Sequence, residues 1–243
     1  RDKTIVFGWW LTSYVSIIFL SNGIALILAS VSFGLATAGL GFVAFHSAIH
    51  GSLSSNHKIN SFVSIATCSI LGASHYLWKH KHNYLHHQFT KIQNWDDDLE
   101  TREGLRLGPE QPWYPRYRIQ HLYAPVLYGL STFEWIFIKD FVQYFTVRMN
   151  KWRNVPKMKK ADHFEFWFSK AIYFSLITTP LFLTFTLFEF LIGLITYYFT
   201  LGLTLAGIFQ LAHVMEECDD PKLDSETGKL DRDWVSLQLS GTT

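Results

Sequence analysis

Seven of the 11 histidines in this chain fall in two short stretches, HSAIHGSLSSNH and HKHNYLHH. In the first stretch, His46 and His50 are four residues apart. In the second, His82 and His86 repeat that spacing, and His87 follows directly. Residues i and i+4 share one face of an α-helix, so each pair can direct two imidazoles toward one point. Imidazole is a ligand for iron, zinc, copper and nickel, and the two stretches therefore predict a metal site.

A third segment adds His213, in the sequence FQLAHVMEE at the end of a long apolar run. The candidate ligands are then His46, His50, His82, His86, His87 and His213. A zinc ion needs only three or four protein ligands, so a set of this size favours two metal ions. His80 can be either part of the cluster or solvated.

The elements that must position these histidines are strongly apolar. Hydrophobic residues make up 49% of the chain, and no Asp, Glu, Lys or Arg occurs in residues 4–57, 171–188 or 190–215. About 20 apolar residues suffice to cross a bilayer. The first run is too long for the h-region of a signal peptide. The sequence therefore predicts an integral membrane protein and gives no basic stripe typical of nucleic-acid binding.

The apolar runs predict four transmembrane helices in two hairpins. The sequence SNG at 21–23 predicts a turn within the first run. The predicted spans cover about residues 5–20, 24–45, 166–186 and 190–213. The segment Ile59–Trp78 is apolar but dotted with polar residues, and we interpret it as an interfacial or re-entrant helix. Residues 121–148 have the pattern of an amphipathic helix at the membrane surface.

The basic residues predict the orientation. All 21 lysines and arginines lie in residues 1–3, 58–170 and 222–232, and the two predicted hairpin tips contain none. With four spans, every basic residue falls on one side, which the positive-inside rule makes cytoplasmic. The predicted fold is an all-α membrane protein with two hairpins and a cytoplasmic helical cap that carries the histidine boxes.

The order HSAIHGSLS, WKHKHNYLHHQFT, DDDLE and FQLAHVMEE resembles the integral-membrane fatty acid desaturases. The resemblance is closest to the bacterial acyl-lipid and acyl-CoA branch related to front-end desaturases. That family has four membrane helices, a cytoplasmic cap and a di-iron centre. By motif position, His46 and His50 match its first histidine box, and His82, His86 and His87 match the second. His213 matches an additional ligand after the last span.

The resemblance implies O2-dependent insertion of a double bond into a fatty acyl chain at two iron ions. No side chain can remove hydrogen from an unactivated methylene, so we expect no catalytic residue beyond the metal ligands. An external electron-transfer protein, ferredoxin or a b-type cytochrome, is implied as partner. Two alternatives remain open. One is another membrane di-iron oxygenase, such as an acyl or sphingoid hydroxylase, and the other is a non-catalytic metal- or lipid-binding membrane protein.

The chain departs from the family pattern in two places. Ser47 stands where the first box commonly has Asp. The third box, QxxHH or HxxHH, does not occur in residues 1–243, and the resemblance places it beyond Thr243. We therefore expect residues 1–243 to form a single desaturase domain that is incomplete at its C-terminus and inactive alone.

Two further groups of residues follow from the motifs. Asp96, Asp97 and Asp98 come shortly after the second box. They can support the ligands or a substrate head group, but a solvated acidic loop is the favoured interpretation. Trp9, Trp10, Trp78 and Trp95 are interpreted as interface-belt residues rather than substrate contacts. No substrate-binding residue is predicted.

Overall fold

The computed structural model describes residues 2–19, 23–92, 95–96, 103–109, 111–183, 185–213, 230 and 233–241. Throughout these ranges the regular structure is helical, and Arg148 and Asn154 form an isolated antiparallel bridge. Two of the described helices, Gly23–Ile49 and Leu187–Leu211, are long and apolar enough to cross a membrane. The prediction of an all-α chain is confirmed.

The helices are numbered in chain order. They are α1 (Asp2–Phe19), α2 (Gly23–Leu40), α3 (His57–Leu71), α4 (His75–Lys79), α5 (Gln120–Glu134), α6 (Asp140–Thr146), α7 (Lys160–Leu183), α8 (Leu187–His213) and α9 (Trp234–Gly241). Wider π-helical segments continue some of them: Gly41–His46 follows α2, His80–His86 follows α4, and Trp135–Lys139 joins α5 to α6. A short helical turn, Ser47–Ile49, ends the continuation of α2.

Helices α1, α2, α7 and α8 cover the greater part of the four predicted spans. The predicted helix Ile59–Trp78 is instead divided in two. Helix α3 ends at Gly72, whose φ of +79° is a left-handed conformation suited to glycine. Helix α4 then starts after Ser74, whose side chain accepts a hydrogen bond from the Leu77 N–H. This break turns the chain just before the second histidine box.

The apolar core lies where α2 packs between α1 and α8. Trp10 and Phe33 face each other across α1 and α2, with ring centroids 5.6 Å apart, and Phe33 stacks on Tyr197 of α8 at 4.8 Å. A Cβ at Gly34 of α2 would lie 2.9 Å from the Thr200 Cβ, so the glycine allows α2 and α8 to approach closely. Trp10 is thus a core residue, and its interpretation as an interface-belt residue is wrong.

Helix α5 crosses α8 at equally short range. A Cβ at Gly202 of α8 would lie 2.5 Å from the Tyr128 carbonyl oxygen of α5, which is closer than any side chain permits. The same crossing brings Gly129 of α5 against the Phe199 ring. These contacts join α5 to α8, and both glycines are required for the crossing.

Replacing Gly202 by valine is expected to destabilise the protein by about 1–3 kcal/mol, because the helices must separate to admit the side chain. Gly207→Val is the matched control. It lies in the same helix, and a Cβ there meets nothing within 4 Å. Thermal unfolding of the two detergent-purified variants measures the difference. Equal loss of stability in both would show that helix propensity, and not the crossing, is responsible.

Residues 121–148 largely follow the predicted amphipathic pattern. They form α5, the π-helical segment after it and α6. One set of large apolar side chains is left exposed: Leu122, Val126, Leu130, Phe133, Ile138, Val142 and Phe145. Side chains on the other side, including Ile136, Asp140 and Gln143, are buried against the rest of the chain. An exposed apolar face of this length is typical of a helix that lies on a membrane surface.

Candidate metal centre

Both histidine boxes occur in π-helical backbone. His46 is the last residue of the segment Gly41–His46, and His82 and His86 lie within the segment His80–His86. Such wide turns are rare and are found frequently at functional sites. The Asn83 amide donates a hydrogen bond of 3.2 Å to the Ile49 carbonyl and ties the two segments together. The two boxes therefore face each other at the ends of α2 and α4.

Four imidazoles converge between these segments. The ligand nitrogens of His46, His50, His82 and His87 all lie within 4.8 Å of one another. His82 is central: its Nε2 is 3.0 Å from Nε2 of His46, 3.1 Å from that of His50 and 3.1 Å from that of His87. Nε2 of His87 is 3.2 Å from that of His50. His82 is buried, and His50 is the most exposed of the four.

This geometry fits a metal ion better than a hydrogen-bond network. A neutral imidazole Nε2 has either one proton or one lone pair, so it cannot make three full hydrogen bonds at once. Nitrogens about 2.1 Å from a shared ion are about 3.0 Å apart at a right angle and about 3.4 Å apart at the tetrahedral angle. The observed separations of 3.0–3.2 Å lie in that range. The residues present therefore fit a bound transition metal.

The structure corrects the predicted pairing in the second box. His82 was paired with His86 by the i, i+4 rule, but the backbone N–H of His87 donates to the His82 carbonyl in an i to i+5 bond of 3.0 Å. The π-helical winding puts His87 on the face of His82 and turns His86 aside. The rings of His82 and His86 are still stacked, with centroids 5.4 Å apart. His86 thus adjoins the four-histidine group but is not part of it.

Asp96 orients the His86 ring through a hydrogen bond to its Nδ1. The His86 Nδ1–H donates to the carboxylate of Asp96, with distances of 3.0 Å to Oδ1 and 3.2 Å to Oδ2. The Lys91 N–H, from a residue with φ of +62°, donates to the same carboxylate at 2.9 Å. The Asp96 side chain is 2% exposed, so a solvated acidic loop is wrong for this residue. With the proton on Nδ1, Nε2 is the ring nitrogen of His86 that would bind a metal.

Asp96→Asn is expected to weaken metal binding by about 10–100-fold, because a neutral amide orients the His86 tautomer less strongly. Metal content after dialysis against a graded series of chelator concentrations measures the change. Asp162→Asn is a suitable control, since this acidic residue caps the start of α7 through the Lys159 N–H. Wild-type metal retention in Asp96→Asn would remove Asp96 from the site.

Three of the candidate residues have no described side chain. The backbone of His213 ends α8, but its side chain lies outside the described part of the chain, as do Asp97 and Asp98. For His50, burial lowers the pKa below the ordinary value, and the neighbouring His86 lowers the pKa further. A lowered pKa keeps this imidazole neutral near pH 7, which is the protonation state that binds metal.

The sequence interpretation missed an aromatic wall beside the histidines. The Trp78 ring stacks on His82 with centroids 4.1 Å apart and meets Phe45 at 4.5 Å. Trp78 is 6% exposed, so its interpretation as an interface-belt residue is wrong. The sequence could have predicted this contact, because Trp78 and His82 are four residues apart.

An apolar cleft opens next to this wall. The space between the side chains, open solvent included, is about 300 Å³, and His46 is one of the lining residues. The other lining residues are Gly41, Phe42, Phe45, Leu71, Trp78, Trp135, Leu205 and Phe209. The lining is almost wholly apolar and aromatic, with one candidate ligand in it, and such a lining favours hydrocarbon groups over polar ones.

Comparison with known proteins agrees with the geometry. The family model for fatty acid desaturases matches residues 22–241, which include all six candidate histidines. The chain belongs to the fatty acid desaturase family, a family of oxidoreductases of lipid metabolism.

Individual relatives match over nearly the whole chain. The sn-1 linoleoyl-lipid 6-desaturase of Synechocystis sp. is 31% identical over 99% of this chain and 67% of its own length. The acyl-lipid (8-3)-desaturase of Physcomitrium patens is 28% identical over 100% and 51%. The sn-1 linoleoyl-lipid 6-desaturase of Arthrospira platensis is 28% identical over 98% and 64%. The chain thus spans between half and two thirds of the length of these relatives.

Proposed function

We propose that this chain carries the metal-binding domain of an O2-dependent desaturase that acts on fatty acyl chains in membrane lipid. The observation that carries the proposal is the convergence of four histidines from two family motifs within 4.8 Å. The lipid-linked substrate is proposed because all three relatives above are named as acyl-lipid or linoleoyl-lipid desaturases.

The proposed centre holds two iron ions. His46, His50, His82 and His87 would hold one of them, and His86 and His213 would contribute to the other. Bound iron would supply the O2 activation that breaks unactivated C–H bonds, chemistry that no side chain offers. The protein contributes orientation: Asp96 fixes the His86 ring, Asn83 joins the two boxes, and the Trp78 ring shields His82 from water.

The apolar cleft is the proposed site of the acyl chain. Phe42, Phe45 and Leu71 form part of its wall, and Trp135 and Phe209 complete it near the histidines. Aromatic and aliphatic walls favour methylene groups by burial, at about 0.8 kcal/mol for each methylene removed from water. Because His46 reaches the cleft, a bound chain would present its methylenes to the metal side.

The proposed topology is that of two membrane hairpins, α1 with α2 and α7 with α8. Support comes from the location of the basic residues, none of which lies at either hairpin tip. The histidine boxes, at the opposite ends of these helices, would then face the cytoplasm. Helices α3 and α4 and the exposed apolar face of α5 and α6 would lie at the cytoplasmic surface of the bilayer.

Expression of the gene from its full reading frame in a host that lacks such a desaturase, supplied with both monounsaturated fatty acid and linoleate, tests the proposal. We expect a new unsaturated acyl chain in the membrane lipids, formed only with O2. Gas chromatography with mass spectrometry separates this product from a hydroxylated chain, which would indicate an acyl hydroxylase instead. Iron-loaded protein that leaves the host lipids unchanged in either respect would contradict the proposed activity.

A further inference from the structure

A compact basic hairpin adjoins the second histidine box. Six of the 13 residues from 148 to 160 are lysine or arginine, and none is acidic. We call these residues the basic segment. Its exposed cations are Arg148, Lys151, Lys157, Lys159 and Lys160, and Arg153 is half-buried. The bridge between Arg148 and Asn154 closes the hairpin and fixes the basic segment as an ordered surface.

The basic segment is anchored by buried side chains rather than by its charges. Met149 and Val155 are 4% and 6% exposed and pack with Leu77 of α4 and Phe166 of α7. The Gln143 amide donates to the Met149 carbonyl at 2.7 Å. The hairpin therefore has a fixed place next to the helix that leads into the second histidine box.

Two contacts pin the basic segment to residues that flank this box. Before the box, the Tyr76 hydroxyl lies 3.2 Å from the Pro156 carbonyl and 3.3 Å from that of Lys157. After the box, the Arg153 guanidinium lies 3.9 Å from the centre of the Trp95 ring. Trp95 is 36% exposed, so this cation–π contact is at the protein surface.

Trp95 also connects the surface to the candidate metal centre. It is bonded through the backbone to Asp96, whose carboxylate accepts the hydrogen bond from His86 Nδ1 at 3.0 Å. The covalent chain from Trp95 to Asp96 and one hydrogen bond thus connect the surface beneath Arg153 to a candidate ligand. A membrane anchor would not require a connection of this kind, although Trp152 at the hairpin tip is 62% exposed.

We propose that the basic segment is the docking surface for a small acidic one-electron carrier protein, and that Trp95 connects this surface to Asp96 and the metal centre. The proposal rests on the proposed function. Removing one hydrogen from each of two neighbouring methylenes gives two electrons and two protons, whereas reduction of O2 to two waters consumes four of each. Two electrons and two protons must therefore come from outside the acyl chain. The carrier would deliver the electrons in two encounters, steered by opposite charge.

The test uses the protein expressed from its full reading frame, in nanodiscs of zwitterionic lipid, with a plant-type 2Fe–2S ferredoxin as probe. Lys157→Glu/Lys159→Glu is the charge variant, because the contacts of these residues that fix the segment use backbone atoms. We expect its Kd for ferredoxin at low ionic strength to rise by about tenfold or more, and added salt to weaken wild-type binding.

Lys3→Glu/Lys58→Glu is the matched control, with the same change of charge at exposed positions away from the second box. Its Kd should change by less than about twofold. Trp95→Leu tests the inward connection. At saturating ferredoxin, we expect the stopped-flow rate of ferredoxin oxidation to fall, with a Kd that stays close to that of the wild type.

Each contrary outcome is specific. Equal weakening in both double variants overturns the docking surface, and so does a loss confined to binding of anionic vesicles, which would make the basic segment a lipid contact. An unchanged oxidation rate in Trp95→Leu overturns the role of Trp95. Ferredoxin binding is measured without turnover, so an absence of desaturated product would contradict the proposed function and leave the docking result interpretable.

Discussion

Replacing His82 by alanine is expected to abolish iron retention and desaturation together. His82 Nε2 lies 3.0–3.1 Å from the ligand nitrogens of three other histidines, so its loss opens the centre of the group. Even the loss of an outer hydrogen-bond partner costs metal sites about 10–100-fold in affinity, and the loss of a central ligand should cost more. Elemental analysis of purified protein and the lipid profile of the host measure the two effects.

His80→Ala is the matched control for this prediction. His80 lies two residues earlier in the same π-helical segment, but its ring packs between Tyr76 and Tyr84, with centroids at 4.6 and 5.3 Å. It belongs to the surface side of the segment, and we expect iron content and product to stay near wild type. A His82→Ala protein with full iron content, or a His80→Ala protein without iron, would contradict the assignment of ligands.

The second large effect concerns a buried ion pair that joins α7 to α6 and to the break between α3 and α4. Lys170 of α7 donates from Nζ to Asp140 Oδ2 at 2.8 Å and to the carbonyls of Gly72 and Ile136 at 2.7 and 2.9 Å. The Lys170 and Asp140 side chains are 2% and 1% exposed. Asp140 Oδ2 also accepts from the Ser74 N–H at 2.8 Å. The three protons of the ammonium thus join α7 to two other parts of the chain, at Gly72 and at Ile136–Asp140.

Lys170→Met is expected to lower the free energy of unfolding by about 3–5 kcal/mol, because it leaves the Asp140 carboxylate buried without its cation. Thermal unfolding of the detergent-purified protein measures the loss. The double variant Lys170→Met/Asp140→Asn should be more stable than Lys170→Met alone, since the asparagine oxygen can still accept from Ser74 without a charge.

Lys160→Met provides the control, because Lys160 is an exposed residue at the start of the same helix. Its unfolding temperature should stay close to that of the wild type, as expected for an exposed charge. A double variant less stable than Lys170→Met alone would show that the burial of an unpaired charge is not the cause of the loss.

Hydrophobic runs and turn residues sufficed to predict the long helices. The predicted span 24–45 lies within the continuous helix Gly23–Ile49, and the span 190–213 lies within α8. These segments are apolar over their whole length, so local sequence decides their structure. Lys170 shows the limit of that reasoning. A charge inside a predicted span is buried only because acceptors from two distant segments meet it, and no pattern within α7 contains that information.

The metal site was likewise predicted only in part. The spacing of His46 and His50 identified a pair that does converge, because that stretch brings residues i and i+4 together. The same rule brought His82 and His86 together as stacked rings but did not indicate that His87 joins the four-histidine group, because periodicity assumes α-helical winding and the second box is π-helical. The burial of Asp96 was not predicted, for a related reason. It depends on the left-handed turn at Lys91, which the acidic residues next to Asp96 in the sequence do not indicate.

The π-helical second box also bears on how this site can change over generations. A π-helical ring contains one residue more than an α-helical ring, so the segment His80–His86 is equivalent to an α-helix with a one-codon insertion. Rewinding the segment as an α-helix with no residue removed would rotate the downstream residues by about 100°, the α-helical step per residue. His86 and His87 would then exchange places relative to His82. The doubled histidine gives the lineage tolerance to such a change, because an imidazole faces His82 in either winding.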